Sequence, residues 1–206
     1  MDPVRYISNL STGRMGYEVA REAARLKFDV TLISGPAHLR PPAGVRFVGI
    51  ETVDELEQAV HKEVKGAALL VMTAAVNDYV PERVAKQKLR RQRGGMILKL
   101  VRTRDIVAGV ARKAKKLVVV GFSLETQSLA ERTLKKLHAK NLDLIVGNEY
   151  SKGKNPFGEN KPTVLIVGRK GPVCRLVDKP KDLIARKVIL KALSLYKEKC
   201  GLKRNR

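Results

Sequence analysis

The sequence predicts a doubly wound α/β fold in a single domain spanning 1–206: a mostly parallel sheet with helices on both faces and a small antiparallel annex. Three observations lead there. Short, β-branched apolar runs alternate with stretches of helical periodicity; several of those runs are apolar throughout, as strands buried on both faces are; and the last third breaks the alternation with two apolar runs around a turn.

The elements follow in order. A turn of Ser11, Thr12, Gly13 and Gly16 opens an amphipathic helix from Gly13 to Leu26. "FDVTLIS" (Phe28 to Ser34) and "VRFVGI" (Val45 to Ile50) read as strands, and Thr52 with Glu55 forms a capping box for a helix from Val53 to Val64. "AALLVMT" (Ala67 to Thr73) is a third strand. The segment 80–95, rich in Lys and Arg and ending in Gly94-Gly95, reads as a basic mobile loop before the strand-like "MILKLV". A helix from Arg104 to Ala114, the strand "KLVVVGF" (Lys116 to Phe122), a helix from Ser128 to Ala139 and the strand "LDLIVGN" (Leu142 to Asn148) continue the alternation. "PTVLIVG" and "PVCRLVD" around Arg169-Lys170-Gly171 make an antiparallel hairpin over 162–178. A helix from Lys181 to Lys199 closes the fold, and 201–206 is a basic tail. Strands joined by crossover helices give a Rossmann-like sheet.

Composition narrows the class. With 44% hydrophobic residues the chain buries a sizeable core. It has no apolar run long enough to span a membrane and no signal-peptide pattern, so a cytoplasmic location is expected. Cys174 and Cys200 lack CxxC spacing, and His38, His61 and His138 are scattered, so neither structural zinc nor a disulfide framework is expected. A net charge of +22 fits either a nucleic-acid binder or an enzyme acting on polyanions. Aromatics at 4% with no Trp supply few stacking platforms, which disfavours the first.

Five stretches are candidate sites. The turn at Ser11, Gly13 and Gly16 offers cap hydroxyls, close backbone approach and a helix N-terminus, an anion site in principle, although the spacing is neither GxGxxG nor a Walker A and also suits an ordinary N-cap. Past the third strand, Ala74 and Ala75 let a ligand reach backbone, and Asp78 can hold a hydroxyl, a base amino group or a metal, or close an Asx-turn. In the basic loop, Lys86, Lys88, Arg90 and Arg91 can close over phosphates or remain solvated. Phe122 can stack on a base or belong to the core. Lys136 and Lys140, four apart on one helix face, can meet one anion together.

Taken in sequence, "DPVRYISNLSTGRMGYEVA", "AAVNDYVPERVAKQKL", "RDIVAGVA", "VGFSLET" and "KLHAKNLDLIVGN" closely resemble phosphopantothenoylcysteine synthetase, the ligase domain that in many bacteria and archaea is fused behind a flavin-dependent decarboxylase. The likeness covers nearly the whole chain. It implies a two-step ligation: 4′-phosphopantothenate attacks CTP to give an acyl-cytidylate and pyrophosphate, then L-cysteine displaces CMP. It implies Asn9 at the activated carboxylate, Ala75 bordering the substrate pocket, and Arg5 facing an anionic substrate group. Asp78, Phe122, Lys136 and Lys140 would contact the nucleotide, and Lys88 would stabilise the phosphates as pyrophosphate leaves. Magnesium held through phosphates and water, and a homodimer with substrate near its interface, are implied too. Use of ATP in place of CTP, a nucleic-acid-binding role and a catalytically weak nucleotide-binding subunit are the alternatives.

Two departures from the family pattern carry expectations. "TRDI" (Thr103 to Ile106) stands where the family has Asn-Pro-Asp-Ile, keeping Asp105 and Ile106 for the nucleotide while changing the turn. The chain opens at "MDPVR" where relatives have a strand and a Thr/Gly-rich loop, so a vacant central strand position and reduced stability are expected.

Overall fold

The computed structural model describes residues 1–91, 94–151, 155–158 and 160–202. Parts of two segments singled out above, 92–93 in the basic loop and 203–206 in the tail, lie outside the described residues. The elements are α1 (Arg14–Arg25), β1 (Val30–Ser34), β2 (Val45–Gly49), α2 (Val53–Glu63), β3 (Leu69–Met72), β4 (Tyr79–Pro81), β5 (Leu100–Arg102), α3 (Ile106–Lys113), β6 (Val118–Glu125), α4 (Leu129–Ala139), β7 (Leu144–Glu149), β8 (Val164–Gly168), β9 (Gly171–Leu176) and α5 (Lys181–Lys199).

The main sheet has the order β3-β6-β7-β8-β9. Strands β3, β6 and β7 run parallel, and β8 and β9 continue antiparallel. The hairpin over 162–178 therefore extends the main sheet. Side-chain alternation assigns its two faces: Val119, Ile145 and Leu165 pack with Leu56, Ile106, Val110 and Leu137 from α2, α3 and α4, whereas Val118, Val120, Leu144 and Val146 pack on Ile184 and Val188 of α5. Helix α1 joins the second layer, its Val19 and Ala23 lying against Ala185 and Ile189 of α5. The Thr52/Glu55 capping box starts α2 with both of its bonds made.

Three features differ from the pattern read in the sequence. β6 does not end at Phe122 but runs to Glu125, because Ser123, Leu124 and Glu125 pair in register with Gly147, Asn148 and Glu149. The basic loop leaves from a short antiparallel ladder, β4 with β5, whose base is closed by Glu82 N–H to Lys99 O at 3.0 Å and a Glu82–Lys99 ion pair at 2.6 Å. The parallel sheet is also divided: β1 pairs only with β2, and β3 is an edge of the main sheet. Val30 of β1 and Val71 of β3 pack in one cluster under α1, and Ile33, Leu70 and Met72 in one cluster on the opposite face. The two strands are thus covered by shared layers without being hydrogen-bonded to each other.

Candidate functional site

Helix α1 begins on Gly13 at φ 72°, a left-handed conformation that a residue with a Cβ adopts at a cost. Gly16 is required for a different reason: a Cβ there would stand 2.7 Å from Thr73 Oγ1. That close approach seats the first turn of α1 on the end of β3, so the turn at Ser11 to Gly16 and the segment from Thr73 to Asn77 become one surface. The cap hydroxyls expected at Ser11 and Thr12 do not cap the helix, because the left-handed Gly13 occupies the N-cap position. Ser11 Oγ accepts the Gly13 N–H at 3.3 Å and Thr12 Oγ1 accepts the Gly158 N–H at 3.3 Å. Among the described residues no side chain caps α1, which leaves its first-turn N–H groups available to an anion.

Cationic charge gathers at the same end. Lys181 is buried, donates to Asn160 O at 2.6 Å, and has its pKa lowered first by burial and then by the nearby charge of Arg14, with Glu18 acting in the opposite sense.

The chain from Ile7 to Asn9 lies beside the end of β3. Asn9 Nδ2 donates to Ala75 O at 3.0 Å and Val76 O at 3.2 Å, and Asn77 Nδ2 donates to Ile7 O at 2.8 Å. Thr103 completes the crossing: its Oγ1 donates to Asn77 O at 2.7 Å and its N–H to Asp78 O at 2.9 Å. Ala74, Ala75 and Asp78 are exposed, so backbone and carboxylate are both open to a ligand. The structure therefore brings together Asn9, Ser11, Gly13, Gly16, Ala74, Ala75 and Asp78.

Lys136 and Lys140 fall in a second cluster, each held by a carboxylate: Lys136 Nζ lies 2.7 Å from Glu125 Oε1 and Lys140 Nζ lies 3.1 Å from Asp105 Oδ2. Asp105 also caps α3 by accepting the Ala108 N–H at 3.0 Å. The Ile106 side chain is buried in the core, which leaves only its backbone to meet a nucleotide. Phe122 is half-buried and packs against the core cluster that Met15 of α1 also joins. Lys88 is exposed on the basic loop, and Arg5 is held by Asp2 and Leu89.

Sequence reasoning missed Asp2 and Thr73, and it gave Thr103 no contact with Asn77. Asp2-Pro3 is a turn signal, and the Asp2 Oδ1 bonds to the N–H groups of Val4 and Arg5, both at 2.9 Å, are the Asx-turn it announces. Nothing in the sequence marks the contact of Thr73 with Gly16. A cleft of about 620 Å³ lined by Tyr17, Pro36, Phe47 and Glu51 opens beyond β1 and β2, and none of the residues selected from the sequence lines it. Among the described residues no group of three or more His, Cys, Asp or Glu side chains is placed to hold a metal, and no helix is long and apolar enough to cross a membrane.

Residues 1–195 match the family model described as the DNA/pantothenate metabolism flavoprotein C-terminal domain. The chain is 40% identical over 172 residues to the coenzyme A biosynthesis bifunctional protein CoaBC of Bacillus subtilis (strain 168), covering 83% of this chain and 42% of that protein. It is 36% identical over 203 residues to the CoaBC protein of Escherichia coli (strain K12), covering 97% of this chain and 50% of that one. It thus spans about half the length of the curated relatives it matches. The crystal structure of the C-terminal domain of a CoaBC protein superposes with a TM-score of 0.79 at 31% identity, covering 94% of this chain and 88% of that chain. With a family match over nearly its full length, relatives above 30% identity and the same fold in a solved member, the chain belongs to the family of the C-terminal domain of the CoaBC coenzyme A biosynthesis proteins.

Proposed function

We propose that the chain is a phosphopantothenate–cysteine ligase that uses CTP. The observation that carries this reading, beside the family, is the single surface formed by the uncapped start of α1, the exposed backbone at Ala74 and Ala75, and Asn9. In the first step a carboxylate oxygen of 4′-phosphopantothenate attacks the α-phosphorus of CTP. The new P–O bond replaces the bond to the β-phosphate, and pyrophosphate leaves. Open N–H groups in the first turn of α1, with Arg14 and Lys181 nearby, hold phosphate oxygens. Lys88 from the basic loop neutralises charge on the departing pyrophosphate. Arg5 Nη1 has no bonded partner among the described residues and faces an anionic substrate group.

In the second step the cysteine amine attacks the acyl carbon of the acyl-cytidylate, CMP departs and the amine proton passes to water. Asn9 gives its amide hydrogens to Ala75 and Val76, so it presents Oδ1, an acceptor suited to orienting the attacking amine. Asp78, Phe122 and the backbone at Asp105 and Ile106 contact the nucleotide. Lys136 and Lys140 reach it by exchanging their carboxylate partners for phosphate. Magnesium, held by triphosphate oxygens and water, supplies further charge neutralisation. The reaction takes place in the cytoplasm, in a homodimer, beside a flavin-dependent decarboxylase domain or subunit.

The test is pyrophosphate release from CTP and 4′-phosphopantothenate with magnesium, with and without cysteine, repeated with ATP. Release confined to CTP supports the reading, whereas release with ATP alone assigns the other nucleotide. A folded, CTP-binding protein that releases none refutes it. Substituting Asn9 is expected to let acyl-cytidylate accumulate, and substituting Lys88 to stop its formation. Unchanged turnover in either variant removes the corresponding role.

A further inference from the structure

Asp2 is a buried carboxylate whose side chain has no exposed surface, at the start of the segment that carries Asn9. Its Oδ1 accepts the N–H groups of Val4 and Arg5, both at 2.9 Å. Its Oδ2 accepts Arg5 Nε at 3.0 Å, Arg5 Nη2 at 2.5 Å and, across 87 residues of chain, the Leu89 N–H at 3.1 Å. Arg5 Nη2 also donates to Leu89 O at 2.7 Å, so the Asp2–Arg5 pair grips one loop residue by both of its backbone groups. Four residues earlier, the Ala85 N–H donates to Met1 O at 3.0 Å. The basic loop is thus pinned at Ala85 and Leu89, on either side of Lys86 and Lys88. The same short segment continues to Asn9 on Ala75 and Val76. The Arg5 guanidinium beside Asp2 holds its carboxyl far below the usual carboxylate range, so the grip persists at every pH at which the protein would work.

We infer that Asp2 is a positioning residue: through Arg5 and the Leu89 peptide it sets the basic loop so that Lys88 faces the phosphates, while Asn9 is fixed by the other end of the same segment. This rests on the role given to Lys88 above. The inference separates the two half-reactions, because the pins at Ala85 and Leu89 govern Lys88 and the bonds at Ala75 and Val76 govern Asn9.

The experiment compares the parent protein with Asp2→Asn, Asp2→Glu, Lys88→Met and Asp2→Asn/Lys88→Met. It reads hydrogen exchange at the Leu89 and Ala85 amides, single-turnover pyrophosphate release, and cysteine capture of supplied acyl-cytidylate. In Asp2→Asn the Leu89 amide is expected to exchange about tenfold faster or more while β6 and β7 amides stay protected, which shows the fold intact. Pyrophosphate release is expected to fall about 10- to 100-fold, with capture of acyl-cytidylate within about twofold of the parent. Asp2→Glu should recover part of the loss, and the double variant should lose no more than Lys88→Met alone. Unchanged Leu89 exchange in Asp2→Asn, equal losses in both half-reactions, or additive losses in the double variant overturn the positioning role. Full activity of Lys88→Met overturns the reading of Lys88, and with it the purpose of the grip, even where Leu89 exchange responds as expected.

Discussion

Strands β3 and β6 are adjacent and parallel, and each begins with an unbroken apolar run, yet they live in different surroundings. Val118, Val119 and Val120 of β6 are at most 1% exposed, whereas all four residues of β3, Leu69 to Met72, are only half-buried. Both strands have helices over their faces. What differs is the edge: β6 has a hydrogen-bonded strand on each side, and β3 has one on a single side, with no ladder to β1 beyond it. In a parallel sheet, then, covering the faces is not enough; the neighbouring strand supplies both the ladder bonds and a large part of each side chain's burial.

The comparison can be broken first by deletion. Leu144→Ala, beside β6, removes a side chain with no exposure and is expected to cost about 3–4 kcal/mol in urea unfolding, whereas Leu70→Ala in β3 should cost about 1 kcal/mol. Equal costs would show that the open edge of β3 is no weakness. It can be sharpened next by completion. Extending the chain at its N-terminus by an apolar strand and a short glycine-containing loop should fill the position between β1 and β3 and raise the melting temperature by about 5–10 °C, from ladder bonds and added burial together. An unchanged melting temperature would mean that the gap costs nothing.

The smallest effect is electrostatic and lies beside α1. Burial lowers the pKa of Lys181 from its ordinary 10.5, so the unfolded chain holds that proton more tightly than the folded one. Stability should therefore rise with pH from the lowered value up to about 10.5, and the penalty should be present in full below that window. The difference in urea midpoint between the parent and Lys181→Met, followed from pH 7 to 10.5, should shift in the parent's favour as pH rises. A constant difference would mean that the ammonium is not strained by its burial.

Much of this architecture was legible in the residues. Runs such as "LVVVGF" and "LDLIVG" announce buried strands, and Thr52 with Glu55 announces the start of α2, because both signals are local. Of the β4–β5 ladder only the strand-like "MILKLV" leading into β5 was legible; β4, three residues ending in Pro81, carries no period. Nor was the extension of β6 legible past Phe122, where Ser123 and Glu125 interrupt the apolar run and only pairing with β7 keeps the strand going. In the candidate site, the turn at Ser11 to Gly16 and the small residues at Ala74 and Ala75 could be picked out individually. Their meeting depends on Gly16 against Thr73, and the grip on the basic loop on Asp2 reaching Leu89. Contacts between residues so far apart in sequence leave no periodic trace.

The packing of α1 on α5 also bears on synthesis. Val19 and Ala23 meet Val30 and Val71 in one cluster, but that cluster is closed by Ala185 and Ile189 of α5, far along the sequence, and Thr12 waits for Gly158. During synthesis α1 can cover one side of its apolar face on β1 and β2 at once, but the side that meets α5 stays uncovered until α5 has been made. The site it helps to build can form only after that, since its first turn is anchored by the last helix. The α5-facing side of α1 is therefore exposed longest during folding, and it is the natural place for a chaperone to bind.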